Sequence, residues 1–322
     1  AGGQVIGAVV AIDHLAGKDD FIADLHAGPA EAAQVQGGRA GTGQDAARED
    51  TDRMVQMFMD TEGAAFAEGI LASDKEQEYR ARRMTAVCQL AVWHMVEHVR
   101  KGQVDAMLFE EGFGRNGAFE PIRVELESGP VLIEGKIDRV DLLPGDQVKI
   151  IDYKSGQDAF STKEALSGWK LQLMVYLQAA LEGKRRPAGV FYFHIAEPRI
   201  DAGSLSAADE GAFRARLEEE VRRSFRMDGL MVDDPEVVEH ISGGDPLVAT
   251  QTRGKSVCTR EEFDGLLAQV SDKIQGMCRA LAGGEIGITP LKVREETACK
   301  FCDYKSICGF DIQLKGCYYI LA

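Results

Sequence analysis

The sequence predicts an α/β protein: a central mixed sheet flanked by helices, with helical additions and a cysteine-rich C-terminal metal-cluster segment. Three observations predict it. Residues 131–154 (VLIEGKIDRVDLLPGDQVKIIDYK) read as strand, turn, strand, with apolar residues on both faces of the second strand. Long stretches on either side carry apolar residues at helical spacing. Four of the seven cysteines crowd into residues 299–317. With 322 residues, 45% hydrophobic and 28% charged, the chain has ample material for a core in one large domain or two.

The net charge of −15 argues against broad nonspecific nucleic-acid binding. Basic clusters remain at Arg80, Arg82 and Arg83, at Lys184, Arg185 and Arg186, and at Arg222, Arg223 and Arg226. Each reads as a solvated helix face or loop. No apolar run is long enough to cross a membrane, and the first residues lack the pattern of a secretory signal. The expectation is a soluble, cytoplasmic protein with no membrane partner.

Residues 1–50 are rich in Gly and Ala with little periodicity, and are expected to be poorly structured or divergent. Residues 51–103 form a helical lead-in. Met54, Met57, Phe58, Ala65 and Phe66 recur at helical spacing, and ILASD breaks that helix. Ser73 or Asp74 caps a long successor whose stripe runs from Tyr79 to Val99, and Gly102 stops it. This helix contains His94-Met95-Val96-Glu97-His98, which matches the H-x-x-E-H zinc-peptidase pattern. A polar edge of an amphipathic helix explains the same five residues, so the peptidase is a remote alternative.

A core over residues 104–202 follows. AMLFEEGFG is a strand bearing Glu110 and Glu111, and IRVELESGPVLIEGKIDRVDLL reads as a β-hairpin turning at Gly129 and Pro130. VKIIDYKS is the central strand, 157–167 a polar loop, Trp169 to Leu181 a helix, and PAGVFYFHI a closing strand with His194 in a structural place. Residues 203–283 are a helical and loop extension: mostly helical after Ser206, Gly-rich over 242–259, then helical from Arg260 to Ala282. Residues 284–322 are the cysteine-rich segment.

The chemistry lies at the ends of two strands. Asp138 sits late in one, Asp152 and Lys154 late in the next. Strand side chains alternate, so Val148, Ile150, Asp152 and Lys154 share a face. Burying such charges is costly unless they are paired or hold a metal. Two carboxylates with a lysine beside them suit a hard cation such as Mg²⁺ and a water attacking a phosphate. A surface hairpin with an Asp–Lys salt bridge is the plainer alternative. In the tail, Cys299-x₂-Cys302-x₅-Cys308 is metal-ligand spacing. It fits either zinc with Cys317 as fourth ligand or an iron–sulfur cluster whose fourth ligand lies elsewhere.

GKIDRVD, a short turn, IIDYKSG, and then Gln172 and Tyr176 four apart resemble the PD-(D/E)XK nuclease superfamily, in its RecB-like branch with a Q-x-x-x-Y helix. The likeness extends over residues 51–322 to the AddB family, the second subunits of bacterial AddAB helicase–nucleases. It takes in FEEGFG, QLMVY, PAGVFYFHI, GEIGITP and the ending C-x₂-C-x₅-C-G-F-D.

The resemblance implies a Mg²⁺- or Mn²⁺-dependent deoxyribonuclease of exonuclease type. Asp138, Asp152 and the carbonyl of Tyr153 would hold the metal, and Lys154 would orient the attacking water. Gln172 and Tyr176 would contact the DNA backbone or brace Lys154. Glu110 is the further acidic candidate. Cys299, Cys302 and Cys308 would bind a [4Fe–4S] cluster, with zinc as the lesser alternative. The implied partners are DNA and an AddA-type subunit in a heterodimer repairing double-strand breaks by cutting the 5′-ended strand. A degenerate nuclease that only guides DNA is the other reading. The family's upstream cysteine has no counterpart, since Cys88 is the first cysteine, and neither His14 nor His26 sits in the family's G-x-L-x-H pattern. A fragment or a divergent form is therefore expected.

Overall fold

A computed structural model describes residues 35–36, 47–63, 71, 73–156, 159–200, 210–244 and 257–321. His14, His26 and most of the segment expected to be poorly structured lie outside the described residues. The elements run β1 (Val35–Gln36), α1 (Arg48–Phe58, continuing into a π-helical turn Met59–Gly63), α2 (Lys75–Lys101), β2 (Ala106–Phe113), β3 (Ile122–Val124), β4 (Val131–Ile133), β5 (Gly135–Leu143) and β6 (Gln147–Lys154). Then come α3 (Thr162–Ser167), α4 (Gln172–Leu181), β7 (Arg186–His194), α5 (Glu210–Ser224), β8 (Asp228–Val232), α6 (Pro235–Ser242), β9 (Val257–Cys258) and α7 (Arg260–Ala282). The chain closes with β10 (Leu291–Val293), β11 (Glu296–Thr297), α8 (Lys305–Cys308) and β12 (Ile320–Leu321).

Seven strands form one mixed sheet in the order β1-β2-β5-β6-β7-β8-β9. β6/β7 and β8/β9 are parallel and the other pairs antiparallel. A parallel neighbour cannot be reached by a tight turn, so the chain leaves β6, crosses a face of the sheet through α3 and α4, and returns as β7. That crossover sets α4 against β5, β6 and β7. Its Leu173, Met174 and Leu177 are fully buried. The opposite face is covered by α2, where His98 meets the edge of the Phe193 ring and bonds the Phe225 carbonyl. Val140, Val148, Ile150, Val190 and Phe191 form the centre of the core. No helix among the described residues is long and apolar enough to cross a membrane.

Local signals account for most element ends. Asp74, not Ser73, caps α2, its Oδ1 accepting from the Gln77 amide at 2.9 Å. Thr259 and Glu262 form a reciprocal capping box on α7. The turn between β5 and β6 places Gly145 and Asp146 at positive φ. Gly102 ends α2 with an ordinary φ of −99°. Its missing side chain serves close approach, since a Cβ there would lie 2.5 Å from the His240 carbonyl oxygen.

Four expectations need correction. The hairpin turning at Gly129 is its own two-stranded sheet, β3 with β4, while β5 pairs with β2 and β6. Residues 157–167 are not all loop, because Ser161 caps α3. α4 starts at Gln172 rather than Trp169. Gly168 takes a left-handed C-cap at the end of α3, and the Trp169 amide still donates back to the Glu164 carbonyl. Within the stretch RMDGLMV, expected to be helical, Asp228–Val232 is strand β8. Pairing with β7 overrides local propensity there, with Gly229 opposite Phe191.

Candidate active site

The site grows from the place where two paired strands part. β5 and β6 are in register from Leu143↔Gln147 to Arg139↔Ile151, where the ladder ends. One step further, Asp138 stands across from Asp152. Here the Asp138 side chain takes over from the backbone: its Oδ2 accepts a hydrogen bond from the Tyr153 amide at 3.0 Å. Asp138 is 8% exposed and Asp152 0%. On the other side β2 pairs with β5 at Phe109↔Arg139 and Glu111↔Ile137, so Glu110 lies across from Asp138. Three carboxylates therefore stand in one row across three adjacent strands.

Two lysines meet that row. Lys154 Nζ lies 2.6 Å from Asp152 Oδ2 and above the Tyr192 ring at 5.3 Å. The same ammonium donates to Gln172 Oε1 at 3.0 Å, and Gln172 Nε2 donates to the Tyr176 hydroxyl at 2.9 Å. Lys136 Nζ pairs with Glu110 Oε2. Gln172 and Tyr176 lie one turn apart on α4, so the crossover helix supplies a two-residue brace for the end of β6. Burial pushes the Tyr176 hydroxyl up to about 12; the Gln172 hydrogen bond opposes this, while the charges of Asp138, Asp152 and Glu110 reinforce it. The structure thus brings Asp138, Asp152, Lys154, Gln172 and Tyr176 together. Glu110 is set at the edge by Lys136, and Glu111 accepts from the Ala118 amide.

The reverse face of the same strands holds a group that the sequence reading missed. Arg139 Nε bonds Asp141 Oδ1 at 2.7 Å, and Lys149 Nζ lies 2.8 Å from Asp141 Oδ2. All three side chains are buried. Burial would raise the Asp141 carboxyl, but Arg139 and Lys149 hold it below the usual carboxylate range. Burial raises the Tyr153 hydroxyl, and the neighbouring Arg139 pulls it down. The alternation of GKIDRVD carried the signal: Asp138 falls on one face, Arg139 and Asp141 on the other.

Two metal expectations are not met. His94 Nδ1 lies 2.7 Å from Glu97 Oε2, and His98 Nε2 bonds the Phe225 carbonyl at 3.1 Å. His94 thus bonds Glu97 while His98 bonds the backbone, so the two imidazoles do not converge on the one metal position that the zinc-peptidase reading needs. Among the described residues, no three of His, Cys, Asp and Glu are grouped to hold a metal. As placed, the cysteine-rich segment therefore does not gather the metal-cluster site, iron–sulfur or zinc, that its spacing suggests. Cys299, Cys302, Cys308 and Cys317 are free thiols. The physical reason is thin packing: beyond residue 283, Val293 alone of the described residues is buried, so no core draws the thiols together. The nuclease-like pair is another case. Asp138 and Asp152 carry hard oxygen donors, of the kind a divalent cation takes, although they and Glu110 do not form a three-residue metal group as placed.

Comparison with known proteins gives the chain's family. The family model of the PD-(D/E)XK nuclease superfamily matches residues 25–309. The chain is similar to the B subunit of the ATP-dependent helicase/deoxyribonuclease of Thermoanaerobacter sp. (strain X514), 32% identical over 303 residues, covering 87% of this chain and 26% of the relative. The protein of the same name from Alkaliphilus oremlandii is 33% identical over 289 residues, covering 83% and 25%. That from Caldanaerobacter subterraneus subsp. tengcongensis is 36% identical over 266 residues, covering 77% and 23%. The chain spans about a quarter of the length of these curated relatives. With the mixed sheet, the paired aspartates and the match over most of its length, this chain belongs to the PD-(D/E)XK nuclease superfamily.

Proposed function

We propose that the chain is the nuclease part of the B subunit of a helicase–nuclease and hydrolyses phosphodiester bonds of DNA with Mg²⁺, or Mn²⁺ in its place. The observation that carries this reading is the fork itself: Asp138 facing Asp152 where the β5/β6 ladder ends, with Lys154 held between Asp152 and Gln172. A bound divalent ion supplies Lewis acidity toward the phosphate and a more acidic water. Asp138 and Asp152, with the Tyr153 carbonyl, are the groups to hold it. Every other contribution comes from the chain. Lys154 presents a fixed positive charge to the attacking water and to the charge growing on the phosphate. Gln172 and Tyr176 keep that ammonium in place, which lowers the cost of orienting it during reaction.

The substrate and partners follow from the relatives' names. A protein named as the B subunit works beside another, for which an AddA-type helicase–nuclease chain is the proposed partner, and DNA is the proposed substrate. Exonucleolytic cutting of the 5′-ended strand in double-strand-break repair belongs to the same proposal. Lys154, Gln172 and Tyr176 are bonded to Asp152 and to one another, which suits cutting whatever sequence is fed to them.

The test is cleavage of single-stranded DNA by the full chain and by its complex with the AddA-type partner, with and without Mg²⁺. Asp152→Ala and Lys154→Ala are expected to lose cleavage by about a hundredfold or more while keeping a wild-type circular dichroism spectrum. Mg²⁺ is expected to raise the Tm of the wild type and not of Asp138→Ala. Undiminished cleavage by both first variants would refute the assignment.

A further inference from the structure

The nuclease reading uses one lysine, and the fork has two. We propose that Lys136 is a second phosphate-binding residue, holding one phosphodiester of a single DNA strand on the β5 side of the fork while Lys154 serves the β6 side. The inference rests on the nuclease reading and adds a substrate contact to it.

Placement comes first. Lys136 is two residues from Asp138 on β5 and lies across from Gly112 of β2. Counting on from Arg139↔Ile151 sets Lys136 across from Lys154, which pairs in turn with His194 of β7. In that register the two lysines flank the carboxylates, two residues nearer the open end of the fork. The Lys136 ammonium reaches Glu110, across from Asp138, so it lies over the site.

Energetics argue against a purely structural pair. The Lys136 side chain is 38% exposed and that of Glu110 23%, and an exposed pair of this kind contributes about 0–1 kcal/mol. Glu110 meanwhile sits at a φ of +51°, which for a non-glycine residue costs roughly 1–3 kcal/mol. The ion pair by itself does not offset that cost, and the surrounding β2/β5 ladder holds the strained residue in place. Lys154 is drawn inward by Asp152 and Gln172. Lys136, 38% exposed against 22% for Lys154, is the more accessible of these two lysines to a strand entering the site. A lysine there is a point charge able to take a non-bridging phosphate oxygen without reading a base.

The experiment measures binding of a single-stranded oligonucleotide to the full chain in EDTA across a salt series, together with Mg²⁺-dependent cleavage. Losing one phosphate contact lowers the log–log salt slope by about 0.7 on single strands. Lys136→Ala is expected to show that decrease, with KM raised about tenfold and kcat within about twofold. Lys136→Arg is expected to keep the wild-type slope. Lys75→Ala, which breaks an exposed Lys–Glu pair on α2, is the control for net charge and is expected to leave the slope unchanged. If the wild type cleaves but Lys136→Ala retains its slope and KM, or if Lys75→Ala reproduces the change, this inference is wrong and the nuclease reading stands. A wild-type chain that neither binds nor cuts single-stranded DNA overturns both.

Discussion

Asp138 accepts the backbone hydrogen bond of Tyr153, the residue between Asp152 and Lys154. A carboxylate therefore takes the place of a ladder bond where β5 and β6 part. One interaction fixes the spacing of the two strand ends and anchors the aspartate. On the reverse face, Arg139 is bonded to Asp141, and the Tyr153 side chain is fully buried. The positions of Asp152 and Lys154 on either side of Tyr153 follow from the Asp138–Tyr153 bond and from the strand's burial.

Behind these strands Asp141 carries two buried cations. Replacing it with Ala leaves Arg139 and Lys149 buried without their carboxylate, at a cost of about 3–5 kcal/mol. Urea denaturation of Asp141→Ala is expected to show that loss. Because the Asp141 carboxyl is depressed in the folded state, its contribution is present above the ordinary carboxylate range and is lost as pH falls below it. The wild type is thus expected to lose stability on acidification in a way that Asp141→Ala does not. An equal acid response in the two proteins contradicts the assignment.

His98 predicts a second pH effect at milder pH. Burial lowers it from 6.5 to about 4, with Lys149 and Lys101 adding to the shift and the Phe225 carbonyl opposing it. Between those values the unfolded chain binds a proton that the folded protein refuses. Stability therefore rises with pH through the window and is fully present above about 6.5, a span worth roughly 3 kcal/mol. His98→Gln is expected to flatten the melting temperature over pH 4–6.5. A slope as steep as that of the wild type would count against it.

Tyr176→Phe removes the hydroxyl that receives Gln172 Nε2 and loosens the brace on Lys154. The expected result is about a tenfold fall in the cleavage rate, with single-strand affinity unchanged. Gln172→Ala is expected to fall at least as far, since it also removes the oxygen that Lys154 touches. Single-turnover rates at saturating DNA check both. A loss confined to KM would instead make these residues strand contacts.

Gly102→Ala tests the seam between α2 and α6. The added Cβ would lie 2.5 Å from the His240 carbonyl, which also accepts from the Gln103 amide. A loss of about 1–3 kcal/mol in chemical denaturation is expected, with cleavage unchanged. A wild-type midpoint would show that the seam yields without cost.

Much of this protein was legible in its residues because the signals are local. Asp74, Gly145 and the Thr259/Glu262 capping box mark element ends that chain neighbours alone decide. Alternation along KIIDYK set Asp152 and Lys154 on one face, and spacing on α4 set Gln172 above Tyr176. Where distant pairing decides, the sequence was silent. Asp228–Val232 became a strand because β7 offered it an edge. Trp169 stayed with α3 because Gly168 closes that helix before α4 begins. The cysteine spacing suggested a metal centre, and among the described residues the thiols are not grouped as one. The facing of Asp138 and Asp152, the pairing of Glu110 with Lys136 and the buried ions behind them arise from strand register and crossover. The sequence by itself determined which groups a site could contain and which faces they share. The tertiary structure decided which of them meet, because bringing charges together across strands takes a packed sheet to offset their desolvation.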